Sequence, residues 1–184
     1  MDDITCIDSC SAPVRHRRRP AHVAASALLV VLLAALAACG GSDGGTGKAL
    51  PDAKLTDLRT EEPADWGAEG KPLVVNLWAS WCTPCKKEMP AFEAVSQSLG
   101  GKVAFVGVTD TLDLDGSRKA ADNAGVTYPL LVDDDQRLQS DLGIAGLPAT
   151  VFVDADGTIV GRHLGAMTQA ELTKEIKDRY GIEA

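Results

Sequence analysis

The chain has 184 residues, 45% of them apolar, which suits one globular core with appendages. Its formal charge is -8, and past residue 38 only 14 basic residues face 23 acidic ones, an acidic body that argues against nucleic acid as a partner. Five cysteines are an odd set, and Cys6, Cys10 and Cys39 fall at or before the end of an apparent targeting segment. Only Cys82 and Cys85 remain for the folded part, too close together to close a useful structural loop.

In chain order, Arg15, Arg17, Arg18 and Arg19 precede an apolar stretch from Val23 to Ala38 interrupted only by Ser26. As a helix this stretch would span ~24 Å, short of the ~30 Å hydrocarbon layer. A basic region, a short apolar region and small residues make a secretory signal, with an uncleaved anchor as the alternative. Leu36-Ala37-Ala38-Cys39-Gly40 resembles the lipobox of bacterial lipoproteins, which implies lipidation of Cys39. Two acyl chains there, at roughly 0.8 kcal/mol per buried CH₂, would hold the protein on a membrane. Residues 1–13, acidic and with two cysteines, fit no export signal, and a misassigned start is expected. The glycine-rich run from Gly40 to Gly47 reads as a flexible tether reaching ~20 Å. The expected division is a lipoprotein-type signal peptide over 1–38, the lipidated cysteine and tether over 39–53, and one domain over 54–184.

Within that domain, residues 72–80 (PLVVNLWAS) form a near-continuous apolar run, as expected of a strand buried on both faces. From Thr83 to about Leu99 the spacing of Met89, Phe92, Val95 and Leu99 predicts a helix. Residues 102–110 read as a second buried strand, Ser117 to Ala124 as a polar helix, and 129–135 as a short strand or edge segment. Asp156-Gly157 marks a hairpin turn within 149–165. Thr168 and Glu171 form a capping box that opens the last helix. A βαβ crossover followed by a hairpin and a terminal helix predicts an α/β fold, a mixed central sheet flanked by helices.

The cysteine pair then falls where a central strand ends and a helix begins, the usual place for chemistry in open α/β sheets. Unpaired N–H groups and the positive end of the helix dipole lower a thiol pKa there, which makes an exposed Cys82 the expected nucleophile. Cys85, one turn further in, is shielded and positioned to attack a mixed disulfide on Cys82. Such a pair stores electrons rather than stability. A structural zinc needs four ligands, and His163 lies far off in a predicted strand, so no metal is expected.

Trp81-Cys82-Thr83-Pro84-Cys85, the strand before it, and Gly146-Leu147-Pro148-Ala149-Thr150 resemble the thioredoxin fold, a three-layer sandwich. More narrowly, WCTPCKKEMP with GIAGLPATVFVD resembles the TlpA-like group of membrane-tethered thiol-disulfide oxidoreductases, which includes the cytochrome-c maturation and ResA-type proteins. The resemblance covers about residues 50–181. It implies a cis Leu147-Pro148 bond that turns Leu147 backbone groups toward a substrate, a kink at Pro90, and a redox pair with no cofactor. It places Glu88 where the group carries an acid, either to tune the cysteines and relay a proton or as a solvated acid favoured by the helix dipole. Asn76 stands where classical thioredoxins have a buried aspartate, which shifts any internal-base task to Glu88 or water. Trp81, Thr83, Pro84 and Leu147 are the expected substrate surface, with Trp78 in packing and Trp66 in the core. Tyr128-Pro129 matches a feature of the group without an evident chemical role.

The resulting expectation is an extracytoplasmic, membrane-anchored thiol-disulfide oxidoreductase acting on protein thiols or disulfides. It would be coupled to a membrane thiol reductant or oxidant, and the resemblance leans toward a reductant, with cytochrome c maturation as a context. The alternatives are an oxidant of the same fold, a peroxiredoxin-like peroxidase, and a copper-delivery module that uses His163.

Overall fold

The computed structural model describes residues 46–183. The signal peptide over 1–38, the 1–13 start, Cys39 and the first part of the tether lie outside the described residues. Among the described residues no helix is long and apolar enough to cross a membrane.

The chain runs through β1 (Leu55–Asp57), β2 (Pro63–Ala64), β3 (Leu73–Leu77), α1 (Thr83–Leu99), β4 (Ala104–Thr109), α2 (Leu114–Ala124), β5 (Leu130–Asp133), α3 (Leu138–Asp141), β6 (Ala149–Val153), β7 (Ile159–Leu164) and α4 (Gln169–Tyr180). The seven strands form one mixed sheet in the order β2-β1-β5-β4-β3-β6-β7. β3, β4 and β5 are parallel, while β6 runs antiparallel to β3, β7 to β6, and β1 to β5. β3 is central and all five of its residues are buried, as its unbroken apolar run predicts for a strand covered on both faces.

Successive residues of β3 point to opposite faces and divide the core in two. Val74 and the following Trp78 join Phe92, Val95 and Leu99 of α1, Ala120 and Ala121 of α2, and Leu172 and Ile176 of α4. Leu73, Val75 and Leu77 join Val106, Val108, Leu131, Val151 and Leu138 of α3 on the other face. Three helices thus cover one face, and a four-residue helix with the N-terminal segment covers the other. This is the three-layer thioredoxin-like arrangement.

α1 occupies the predicted span, with Cys85, Glu88, Met89, Phe92, Val95 and Leu99 as its buried stripe and Pro90 inside it. It stops at Gly100, whose φ of 57° is the left-handed conformation that glycine adopts at little cost. The capping box of α4 is present, with Thr168 N donating to Glu171 Oε2 at 2.8 Å and Glu171 N to Thr168 Oγ1 at 3.3 Å.

Several elements differ from the sequence expectation. α2 begins at Leu114 rather than Ser117 because Asp113 caps it, accepting from Gly116 N at 2.9 Å. β5 is an interior strand and not an edge, since β1 pairs along its outer flank. β1 and β2 themselves are short strands that the apolar pattern did not reveal. Residues 47–50, expected in the tether, lie along the hairpin: Gly47 N donates to Ile159 O at 2.8 Å and Leu50 N to Gly157 O at 2.9 Å. Trp66 is half-buried at the margin of the second cluster rather than in the core.

Candidate active site

The register of two strands assembles the site. Leu77, the last residue of β3, pairs with Ala149, the first of β6. The loop carrying Cys82 therefore leaves the sheet beside the loop carrying Pro148, although 66 positions separate them. The Leu147-Pro148 bond is cis. Pro148 is buried and Leu147 half-buried, packed against both core clusters.

Cys82 and Cys85 form a disulfide with their Cα atoms 5.3 Å apart. Cys82 is the N-cap of α1, and Cys85 N donates to its Sγ at 3.2 Å. A sulfur in that position receives one of the helix's orphan N–H groups, the contact that favours a thiolate once the disulfide opens. In the disulfide form Cys82 is only 4% exposed and Cys85 fully buried. The expectation of an exposed Cys82 is thereby corrected: Sγ turns back over the first turn of its own helix and bonds to Cys85, and what stands in solvent is its surroundings. Trp81 is 60% exposed, and Thr83 and Pro84 are exposed beside it. Trp81 is held in place, its Nε1 donating to Asp110 Oδ2 at 3.0 Å. Ser80 Oγ, one residue earlier, donates to Asp113 Oδ2 at 2.9 Å, which ties the turn before Cys82 to the cap of α2.

Glu88 lies one turn beyond Cys85, and residues three apart are neighbours on a helix surface. It is 3% exposed, so it is not the solvated acid that the dipole argument allowed. Asn76 Nδ2 donates to its Oε1 at 2.8 Å and Met167 N to its Oε2 at 2.9 Å. Burial pushes the Glu88 carboxyl up to about 7, against the opposing pull of those two hydrogen bonds. A carboxyl balanced there exchanges protons readily near neutral pH.

Around Glu88 the α1-facing side of the sheet is unusually polar. Asn76 Oδ1, Trp78 Nε1, Tyr128 Oη and Thr150 Oγ1 are buried without a hydrogen-bond partner. Gly107, paired with Asn76, leaves room for this group, because a Cβ there would stand 2.6 Å from Leu130 Cδ2 and 3.1 Å from Trp78 Nε1. Burial raises the Tyr128 phenol well above its ordinary range, and negative charge on Glu88 and Glu93 raises it further. Tyr128 therefore belongs to the electrostatic surroundings of Glu88.

Sequence reasoning did not find Met167 N, Asp110 or Asp113 as partners of site residues. Asn76 carried a signal, a lone amide in a buried strand, but its hydrogen bond to Glu88 was not foreseen. His163 sits on β7 opposite Thr150. Among the described residues no three His, Cys, Asp or Glu side chains gather to hold a metal ion.

The model of the Redoxin family matches residues 45–178. The thioredoxin-like protein YneN of Bacillus subtilis is 32% identical over 133 residues, covering 71% of this chain and 78% of its own. The thiol:disulfide interchange protein HelX of Rhodobacter capsulatus is 37% identical over 134 residues, covering 71% of this chain and 74% of its own. Among solved structures, that of Mycobacterium tuberculosis DsbF in its mixed oxidised and reduced forms superposes with a TM-score of 0.62 at 28% identity, covering 70% of this chain and 95% of that one. The CxxC pair, the cis proline beside it and these likenesses converge: the chain belongs to the Redoxin family and is a TlpA-like thiol-disulfide oxidoreductase.

Proposed function

We propose that the protein works outside the cytoplasm, anchored through lipid on Cys39, and reduces disulfides in protein clients, cytochrome c maturation being one setting. The site observation that carries the chemistry is the division of labour between the cysteines, with Cys82 capping α1 and Cys85 sealed behind it. The basic and apolar leader ending in Leu36-Ala37-Ala38-Cys39 supports export and anchoring. The TlpA-like resemblance supports the reducing direction.

In the dithiol form, the Cys82 thiolate attacks one sulfur of a client disulfide, and the other client sulfur leaves as a thiolate that takes a proton. Cys85 then loses its proton and attacks Cys82 Sγ. This closes the protein disulfide and releases the second client sulfur. Two electrons pass to the client, and the disulfide left on the protein is restored to the dithiol by a membrane thiol reductant. We assign acceptance of the Cys85 proton to ionised Glu88, one turn beyond Cys85 on α1, since a buried thiolate without a proton acceptor nearby is costly. Leu147 and the exposed Trp81, Thr83 and Pro84 form the face a client meets.

A Cys85→Ala variant tests the reading, since Cys82 should then retain clients as mixed disulfides identifiable by mass spectrometry. A reduction potential near -270 mV supports the reductant, and one near -120 mV would make the protein an oxidant instead. Recovery of Cys39→Ala in the membrane fraction rather than the medium would remove the lipid anchor from the proposal.

A further inference from the structure

The three large apolar side chains exposed among the described residues are Trp81, Leu112 and Leu164, at 60%, 68% and 61%. All three stand at the same end of the sheet. Trp81 and Leu112 follow the last residues of β3 and β4, and Leu164 pairs with Ala149 at the start of β6. An apolar patch gathered around one chemical site marks an interaction surface.

On the β4–β5 side of Cys82, Trp81 and Leu112 flank a cavity of about 410 Å³, within the range of sites that receive ligand groups. Its floor is Leu77, Val108, Leu138 and Ile144, all buried. Asp110 builds the mouth: its Oδ2 accepts from Trp81 Nε1 at 3.0 Å and its Oδ1 from Leu112 N at 3.1 Å. One carboxylate thus fixes both exposed apolar residues. The charged residues lining the cavity are Asp110 and Asp133, with no lysine, arginine or histidine among its walls.

We infer that this cavity is the specificity subsite for the client, receiving a large apolar side chain near the reacting cysteine of a basic polypeptide segment. The inference rests on the thiol-exchange reading and adds to it which clients react fastest. The occupant has to bring a sulfur to Cys82 while reaching a pocket that begins at the adjacent residue. A client side chain a few residues from its cysteine meets both demands. The two acids in the walls, on a chain of charge -8, steer positive segments and repel negative ones.

The test uses symmetric disulfide dimers of a short one-cysteine peptide. Near the cysteine each carries leucine or alanine, and beside that residue lysine or glutamate. The rate constant of the dithiol protein with each dimer is divided by that of dithiothreitol with the same dimer, which removes the intrinsic reactivity of the leaving thiol. The leucine–lysine peptide is expected to exceed the alanine–glutamate peptide at least about tenfold, from apolar burial and charge together. Leu112→Ala should shrink the leucine-to-alanine ratio toward 1. Gln139→Lys, which puts a cation in the wall, should shrink the lysine-to-glutamate ratio.

Equal normalised rates in the unaltered protein, or ratios that neither substitution moves, overturn the inference while leaving the exchange chemistry standing. Equal rates accompanied by self-association that Leu112→Ala abolishes would give the surface to a second copy of the chain and overturn it likewise. Failure to react with any dimer overturns the exchange reading first and this inference with it.

Discussion

The two faces of β3 carry different kinds of core. Leu73, Val75 and Leu77 enter one apolar cluster, in which Val75 lies between Val106 and Val151. One residue out of phase, Val74, Asn76 and Trp78 face α1, where an amide, a carboxyl, an indole N–H and a phenol are buried together. The same strand, equally buried on both sides, supports an apolar contact around Val75 on one face and a group of buried polar side chains next to the cysteines on the other. Polar groups in a core cost stability when unpaired. The unpaired ones beside β3 lie behind Cys85, whereas the buried Asp133 on the other face is paired, its Oδ2 accepting from Leu138 N at 2.8 Å.

Moving an amide by one position should break that contrast. Val75→Asn puts a polar group between the apolar side chains of Val106 and Val151 and removes a fully buried valine. It is expected to cost about 3 to 5 kcal/mol, read by chemical denaturation. A loss below about 1 kcal/mol would show that the apolar face tolerates polarity, and the two faces would not differ as described.

Glu88→Gln sharpens the comparison through pH. The folded-state pKa of Glu88 lies above its unfolded value, so the native state binds the proton more tightly. Its stabilising contribution is complete below the unfolded value of 4.5 and is lost as pH rises through about 7. The wild type should therefore lose stability relative to Glu88→Gln between those limits, by an amount on the order of 3 kcal/mol. Above about pH 7, where Glu88 is ionised and can accept a proton, Glu88→Gln should slow client release by Cys85 about 10²-fold, the low end for general acid–base catalysis. Parallel stability profiles for the two proteins would mean that Glu88 titrates as an ordinary surface acid.

Much of this architecture was legible in the sequence, and the rest failed for identifiable reasons. The span of α1 followed from Met89, Phe92, Val95 and Leu99 because one helix face repeats every three or four residues, and Thr168 with Glu171 announced α4 because a capping box is local. β1 and β2, of three and two residues, are too short for any period to show. The interior place of β5 depends on β1 returning to pair with it, a contact across more than seventy positions. In the site, the CxxC pair was plain, but the cis bond at Pro148 came from family resemblance, since most X–Pro bonds are trans. The burial of Glu88 was hidden because its second partner, Met167 N, is 79 residues away. Trp81 was readable as a surface residue, whereas Asp110, which fixes it, was not.

Asn76→Leu makes a smaller change on the polar face. The hydrogen bond from Nδ2 lowers the Glu88 pKa, so losing the donor should move it further above about 7, by about one unit. The shift is measurable as displacement of the pH dependence of exchange toward alkaline pH. The sheet itself should tolerate leucine between Gly107 and Thr150, whose β4 and β6 strands already flank it. A pH profile that does not move would leave the tuning of Glu88 to burial and to Met167 N.

Tyr128→Phe should have the smallest effect, and it probes the unpaired half of the polar face. The ring packs against Phe105 at 6.0 Å between centroids, and phenylalanine keeps that contact. The hydroxyl it lacks is buried without a partner, so its removal relieves a desolvated group and should change stability by less than about 1 kcal/mol, in either direction. The phenol stays neutral throughout the working pH range, because burial and the charges of Glu88 and Glu93 hold its proton on. The substitution therefore deletes a dipole rather than a charge, and the Glu88-dependent pH profile should shift far less than in Asn76→Leu. A loss above about 2 kcal/mol would mean that the hydroxyl is paired in solution, and the polar face would then be a fully satisfied network rather than a partly unpaired one.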